Sequence, residues 1–446
     1  MMNVDALRAH LHAHHQSHVL DHWDRLDEHA RAALASQILA LDLAELRQLY
    51  DKRDEVVAVD LSRLQPVPVH SREETHRPQG ADMLRRGEVA VLLVAGGQGS
   101  RLGFDLPKGM FPVGPISQKS LFQLHAEKIV ALRRRYEAPV PLLIMTSPAT
   151  HAPTEAFFAQ NNNFGLPAEE VLFFQQGTMP ALDAQTGRLI LESPGSLFLS
   201  PDGHGGTLTA LAKSGLLEQM RSRGVRTLFY LQVDNPLVAI ADPVFLGMHR
   251  SHGAEVSSKC VAKRDAAEKA GVFAQRDGRC LIVEYSDLPD EVAAETTPEG
   301  KLKWWAGSPA IHAFEVDFLT RMTANQAANI PFHIARKKVP HLDDPEPTGE
   351  NGLKFERFIF DVLPHAERWL VVETAREDEF APLKNADGHD SPATVREALL
   401  AQARRWAQAA GATTTGEVEF SPLFALDEND VRRKVAPGTQ LSGYQE

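Results

Sequence analysis

Cysteine is scarce: Cys260 and Cys280 are the only two in 446 residues. Two thiols cannot make a disulfide framework or a thiolate zinc site. Each lies in or beside an apolar run of strand length, so buried free thiols are expected. Long apolar stretches are also missing. No run approaches the roughly 20 residues that a membrane-spanning helix needs. The amino-terminal stretch is polar and His-rich and lacks the apolar core of a signal peptide, so a cytoplasmic protein is expected. Basic excess is absent too. Lys and Arg number 47 against 59 Asp and Glu, a net charge of −12. Neither nucleic acid nor an anionic membrane is therefore expected as a main partner, and any anionic substrate must be met by locally gathered cations. Nor does the chain offer a Ser-His-Asp, Cys-His or paired-carboxylate arrangement of the kind that activates a nucleophile.

What the chain does have is concentrated in residues 90–114, AVLLVAGGQGSRLGFDLPKGMFPVG. The apolar run from Ala90 to Ala95 has the length and content of a buried parallel strand. Gly96, Gly97 and Gly99 follow within four positions, then Ser100 and Arg101, and Lys108 comes shortly after. Glycines let backbone N–H groups approach a ligand without a Cβ in the way, and Arg and Lys suit phosphate oxygens. A polyphosphate cradle is the reading. Two familiar glycine motifs are excluded. The dinucleotide fingerprint needs glycine at 102, where Leu102 stands, and a Walker A loop needs Gly-Lys-Ser/Thr, where Pro107-Lys108-Gly109 stands.

Length predicts two or three domains. Residues 1–85 read as a helical region, with Asp42 as an N-cap and an extended Pro-rich connector at Gln65–Val69. His10, His14, His18 and His22 recur at i+4 and read as one solvated helix face. Residues 86–384 alternate short apolar strands with amphipathic helices, which predicts an α/β fold: a mixed, mostly parallel sheet with helices on both faces. Strands are expected at Val140–Met145, Val171–Phe174 and Thr227–Val233, and single helices at Thr207–Arg221 and Phe355–Leu363. Residues 385–446 read as a small C-terminal appendage. In open α/β sheets ligands sit at the carboxyl ends of strands. The Gly96 loop, Gln176 and Asp234 each follow a strand, so three loops are expected to converge there. Asp234 suits Mg²⁺ near phosphates, or else caps the turn that Asn235-Pro236 begins. No Asp-x-Asp is formed, because residue 236 is proline. The amide of Gln176 can both donate and accept, as a base edge requires, or can belong to a solvated loop. Glu284 can bind hydroxyls or lie exposed on a strand.

The pattern G-G-x-G-S-R-L-G-x-x-x-P-K-G, together with REDEFAPLKNAD (376–387), Asn351–Glu356 and Phe360-Asp361, resembles the UDP-sugar pyrophosphorylase family. The likeness is closest to its eukaryotic-type UDP-N-acetylhexosamine branch and covers nearly the whole chain. It implies a Rossmann-like nucleotidyltransferase (GT-A-like) fold with residues 86–384 as catalytic domain. The reaction it implies is UTP plus a sugar 1-phosphate giving UDP-sugar plus pyrophosphate, with Mg²⁺ as cofactor. In that resemblance Gly96, Gly97, Gly99 and Ser100 with Arg101 hold phosphates, and Lys108 stabilises charge at the α-phosphate. Asp234 holds the metal beside the nucleotide. Gln176, the Gly97 backbone and the turn Pro201, Asp202 and Gly203, with His204 after it, take the uracil side. Lys384 positions the attacking phosphate, and Gly271, Glu284 and Ile311 touch the sugar. Ser100 replaces a family Thr, His204 an Asn, and Ile311 an Asn. N-acetylglucosamine 1-phosphate is the favoured acceptor. The alternatives are a UTP–glucose-1-phosphate uridylyltransferase and a catalytically silent nucleotide-sugar-binding regulator.

Overall fold

The computed structural model describes residues 4–55, 60–324 and 330–446. The chain forms two compact units, neither continuous in sequence. One is built from Met1–Ala58, Gln176–Gly206 and Ala328–Asp361, the other from Val59–Gln175, Thr207–Ala327 and Val362–Glu446.

The larger unit is organised by a sheet. Its strands β1 (Val89–Val94), β2 (Leu142–Thr146), β3 (Val171–Gln175) and β4 (Thr227–Gln232) are parallel and lie side by side in the order β4-β1-β2-β3. They read as near-continuous apolar runs because both of their faces are buried. Beyond β4 comes β6 (His312–Glu315), antiparallel to β4 and to β5 (Val256–Ala262), and β7 (Trp369–Glu373) runs parallel beside β5. Short antiparallel strands at Ala306–Gly307 and Val272–Arg276 carry the sheet on from β5, and Asp277-Gly278 turns the hairpin between Val272–Arg276 and Arg279–Val283.

Strand side chains alternate, so the sheet buries two cores. Val91, Leu93, Ile144 and Phe229 pack with Phe122, Leu124 and Ile129 of helix α1 (Leu121–Tyr136). Ser120 starts that helix by accepting from the Gln123 N–H. Met145 points the other way, and its sulfur accepts from Thr207 in helix α2 (Gly206–Ser214). Helices therefore cover both faces, as the alternation predicts. Each fully buried Leu, Ile or Phe side chain contributes about 2 kcal/mol. The single helix expected at Thr207–Arg221 is two: Gly215, at φ +71°, separates α2 from α3 (Leu216–Ser222). The last stretch of chain packs α4 (Pro392–Ala409) against a parallel pair, Thr413–Phe420 and Gln440–Gln445, around Ala403, Ala407, Val418 and Val431.

The smaller unit packs helices Glu28–Leu39 and Leu43–Asp51 around Leu34, Ile38, Leu46 and Tyr50, with Leu182, Leu191, Leu353 and Phe355 in the same core. Asp42 caps the second helix, accepting from the N–H groups of Ala44 and Glu45. The helix expected at Phe355–Leu363 is instead the end of a strand, Gly352–Glu356, followed by a 3-10 turn from Ile359 to His365. Leu353 and Phe355 enter the core at a period of two, which outweighs helix propensity. The histidine face does not form either. The first helix stops at Ala13 and His15 takes φ +59°. His18 turns inward, where its Nε2 meets the Leu189 carbonyl at 2.8 Å and burial lowers its pKa.

Cys260 and Cys280 are buried and free, as expected. Among the described residues no helix is long and apolar enough to cross a membrane.

Candidate active site

Strands β1 and β4 end level with each other. Val94 is in register with Gln232, and the Val233 N–H bonds the Val94 carbonyl at 3.0 Å. The two following loops therefore leave the same edge of the sheet.

The loop after β1 folds back on itself. The Gly99 N–H donates to the Leu106 carbonyl (2.9 Å) and the Lys108 N–H to the Gly97 carbonyl (3.0 Å), bringing Lys108 back beside the glycines. The glycines are not equivalent. A side chain on Gly99 would strike Phe104 at 2.7–3.0 Å, so Gly99 is needed for packing and its N–H is already used. This corrects the expectation that the Gly99 N–H holds phosphate along with its neighbours. Gly97 is exposed, and a Cβ there would meet nothing within 4 Å. Its N–H has no acceptor among the described residues. Ser100 and Arg101 are exposed in a short 3-10 turn, and among the described residues Arg101 has no ion-pair partner. Gly96 is half-buried.

The loop after β4 places Asp234 next to Lys108. Lys108 Nζ lies 3.6 Å from Asp234 Oδ2, with the two side chains 20% and 13% exposed. A cation and a carboxylate thus share one mouth at the carboxyl ends of parallel strands. Among the described residues no three His, Cys, Asp or Glu side chains cluster as a metal cage. The donor set still fits Mg²⁺, which takes one or two carboxylates and leaves its other positions to phosphate oxygens and water.

The same turn holds the segment that carries Lys384. The Leu383 N–H donates to the Asp234 carbonyl at 2.8 Å. The buried Asn235 amide donates to the Glu379 carbonyl (2.7 Å) and accepts from the Ala381 N–H (3.1 Å). Asn235 therefore does more than open a turn before proline. Lys384 itself is exposed, on a loop closed by the Asp390 carbonyl, which accepts from the N–H groups of Lys384 and Asn385. Beneath the loop lies a buried charge network that the sequence did not reveal. Lys259 of β5 bonds Glu379 and Asp242, and Arg72 also reaches Asp242. Lys128 of α1 donates to the Pro236 and Val238 carbonyls, and burial lowers its pKa to about 7 against the pull of Glu379. The one available signal was a lysine inside the apolar strand VSSKCVA.

Gly271 and Glu284 do come together. A Cβ on Gly271 would lie 2.9 Å from Glu284 Oε1 and 2.7 Å from Ile282, and the Gly271 carbonyl accepts from the Ser308 N–H. Ile311 departs from expectation. It is fully buried in the core with Ala313 and Phe245 and has no surface for a sugar, so it is withdrawn as a sugar contact.

Gln176, which follows the last residue of β3, belongs to the smaller unit and is buried. There the Asp202 N–H bonds the Gly177 carbonyl at 3.1 Å, and strands Thr178–Pro180 and Leu199–Pro201 pair. Gly203 takes φ +81° against the Arg357 carbonyl, a conformation and an approach open only to glycine. His204 Nδ1 accepts from the Ile359 N–H at 3.1 Å while its ring stacks on Phe358. Burial, with His333 nearby, lowers its pKa to about 4, so it is neutral with the proton on Nε2.

A family model described as UTP--glucose-1-phosphate uridylyltransferase matches residues 43–431. The chain belongs to this family. Membership makes it an enzyme of the uridylyltransferase class. The UDP-N-acetylglucosamine pyrophosphorylase of Saccharomyces cerevisiae is 40% identical over 79% of this chain and 78% of its own length. The UDP-N-acetylglucosamine diphosphorylase 2 of Arabidopsis thaliana is 38% identical over 92% of this chain and 85% of its own length. The crystal structure of the uridine diphosphate N-acetylglucosamine pyrophosphorylase from Trypanosoma brucei superposes with a TM-score of 0.84 at 29% identity. It covers 98% of this chain and 95% of that one. This uridylyltransferase-family chain thus has the fold its sequence implies, a mixed α/β sheet of the UDP-sugar pyrophosphorylase kind.

Proposed function

We propose that the protein joins UTP to N-acetylglucosamine 1-phosphate, releasing pyrophosphate. The observation that carries the reading is the Lys108–Asp234 pair beside the open Gly97 backbone, at the carboxyl ends of β1 and β4. The relatives' names support the choice of sugar.

A non-bridging oxygen of the sugar phosphate attacks the α-phosphorus of UTP. A P–O bond to that oxygen forms, the α–β anhydride bond breaks, and both electrons leave with pyrophosphate. The phosphate monoester has its second pKa near ~6, so at neutral pH it is already largely a dianion. No protein base is needed. Ser257, His249 and Glu315 do form a hydrogen-bonded series, but Ser257 and His249 are buried in the core, closed to a substrate. The barrier is the approach of one polyanion to another, so positioning and charge neutralisation supply the catalysis.

Lys108 sits where negative charge builds at the α-phosphate. Arg101 and the N–H groups of Gly97 and Ser100 hold the β- and γ-phosphates. Lys384 holds the attacking phosphate, and Glu284, beside Gly271, accepts from sugar hydroxyls. Asp234 would hold Mg²⁺, which when bound neutralises charge on the triphosphate. In the smaller unit, Gln176 and the Pro201–His204 turn are proposed for uracil.

Pyrophosphate release from UTP with a panel of sugar 1-phosphates tests the proposal. N-acetylglucosamine 1-phosphate should lead glucose 1-phosphate by roughly tenfold or more in kcat/KM. A preference for glucose 1-phosphate would overturn the sugar assignment, and no release with any member of the panel would overturn uridylyl transfer.

A further inference from the structure

The segment between β5 and Gly271 carries a carboxylate to which the reaction assigns no direct role. Glu268 has a side chain only 5% exposed, and both of its oxygens are engaged. Arg376 Nη2 donates to them at 2.9 and 2.8 Å. The Arg264 backbone N–H donates at 2.8 Å and its Nε at 3.1 Å. Arg376 also reaches the Ala262 carbonyl at the end of β5, and Arg264 extends to Asp390 at 3.7 Å. Residues 376 and 390 bracket the loop that carries Lys384. Asp390 is moreover the residue whose carbonyl accepts from the Lys384 and Asn385 N–H groups. One buried carboxylate therefore grips the Lys384 loop near its start through Arg376 and near its end through Arg264. The same residue stands three positions before Gly271, which lies against Glu284 and bonds Ser308.

We propose that Glu268 is a positioning residue for the acceptor substrate: through Arg264 and Arg376 it fixes the spacing between the Lys384 loop and the Gly271–Glu284 pair. A sugar 1-phosphate must place its phosphate and its sugar ring at a set separation, and two arginines on one carboxylate hold the two protein segments at that separation without touching the substrate. The inference rests on the assignment of Lys384 to the acceptor phosphate. It goes beyond that assignment by naming what holds the lysine there.

The test is a double-mutant cycle of Glu268→Ala and Lys384→Ala, with KM measured separately for UTP and N-acetylglucosamine 1-phosphate. Glu268→Ala should raise the acceptor KM about tenfold and leave the UTP KM within about twofold, and most of its effect should vanish in the Lys384→Ala background. Arg264 is 39% exposed in its side chain. Arg264→Gln is thus a surface change that keeps the test available if Glu268→Ala fails to fold, and it should raise the acceptor KM about threefold. Equal rises in both KM values, or additive effects of Glu268→Ala and Lys384→Ala, would overturn the proposal. A Lys384→Ala variant with an unchanged acceptor KM and kcat would instead overturn the assignment on which it rests.

Discussion

At the scale of single residues, the glycine loop separates into parts with different duties. Gly99 is fixed by Phe104 and spends its N–H on Leu106, while Gly97 faces open space. No described residue would meet a side chain at 97, which supports the proposal that a ligand approaches the backbone there. Gly97→Ala should leave the unfolding temperature unchanged and raise the UTP KM roughly tenfold. Lys108→Ala, also at the mouth, should cut kcat about a hundredfold, ~3 kcal/mol, with an unchanged circular dichroism spectrum. Near-normal turnover in the lysine variant would remove it from the α-phosphate. The loop that carries both residues was legible in the sequence, because spacing excluded the other glycine motifs. The division between Gly97 and Gly99 was not, because it depends on which carbonyl each N–H meets after folding. Ile311, just before β6, shows the same limit from the other side: a motif match gives a position along the chain, and only packing tells whether the side chain is buried.

Among elements, the parallel strands were legible as apolar runs and the Asp42 cap as an acidic residue before a periodic stretch. The strand ending at Glu356 was not, since tertiary burial decided it, whereas the break at Gly215 is local, an exposed glycine at φ +71° that ends one helix and starts the next. The polar interior is the larger omission. Lys259 on β5, Glu379 in the short helix after β7, and Asp242 before the helix Pro243–Ser251 are distant in sequence yet share one buried network. Burial pushes the Asp242 carboxyl up, but Lys259 and Arg72 outweigh it and hold the pKa at about 2, below its ordinary 3.8. A lowered carboxylate stabilises the fold fully above pH ~4 and loses that contribution as the pH falls toward 2, here about 2 kcal/mol. Thermal unfolding followed from pH 6 to pH 2 should therefore show Asp242→Asn less stable at pH 6, with a shallower decline between pH 4 and 2 than the unsubstituted protein. Parallel declines in the two proteins would contradict the pairing. The network also supports the turn that bears Asp234 and the loop that bears Lys384, so its stability and the proposed chemistry are joined in one set of contacts.

For the molecule as a whole, the strand–helix alternation was enough to anticipate the sheet and the strand ends from which the Gly96 and Asp234 loops leave. No local pattern announces that residues near the amino terminus, around 190 and around 350 bury one core together, because that core is assembled from Leu34, Leu191 and Phe355 across long sequence separations. The family match and the conservation of the fold against the Trypanosoma brucei structure make the chain a uridylyltransferase. The proposed bond between a sugar-phosphate oxygen and the α-phosphorus is then tested by where the phosphate oxygens go. N-acetylglucosamine 1-phosphate carrying ¹⁸O in its non-bridging phosphate oxygens, turned over with unlabelled UTP, follows them. Attack by the sugar phosphate on the α-phosphorus predicts that all of the label remains in UDP-N-acetylglucosamine and none enters pyrophosphate. Label in the released pyrophosphate, or no labelled UDP-sugar, would contradict it.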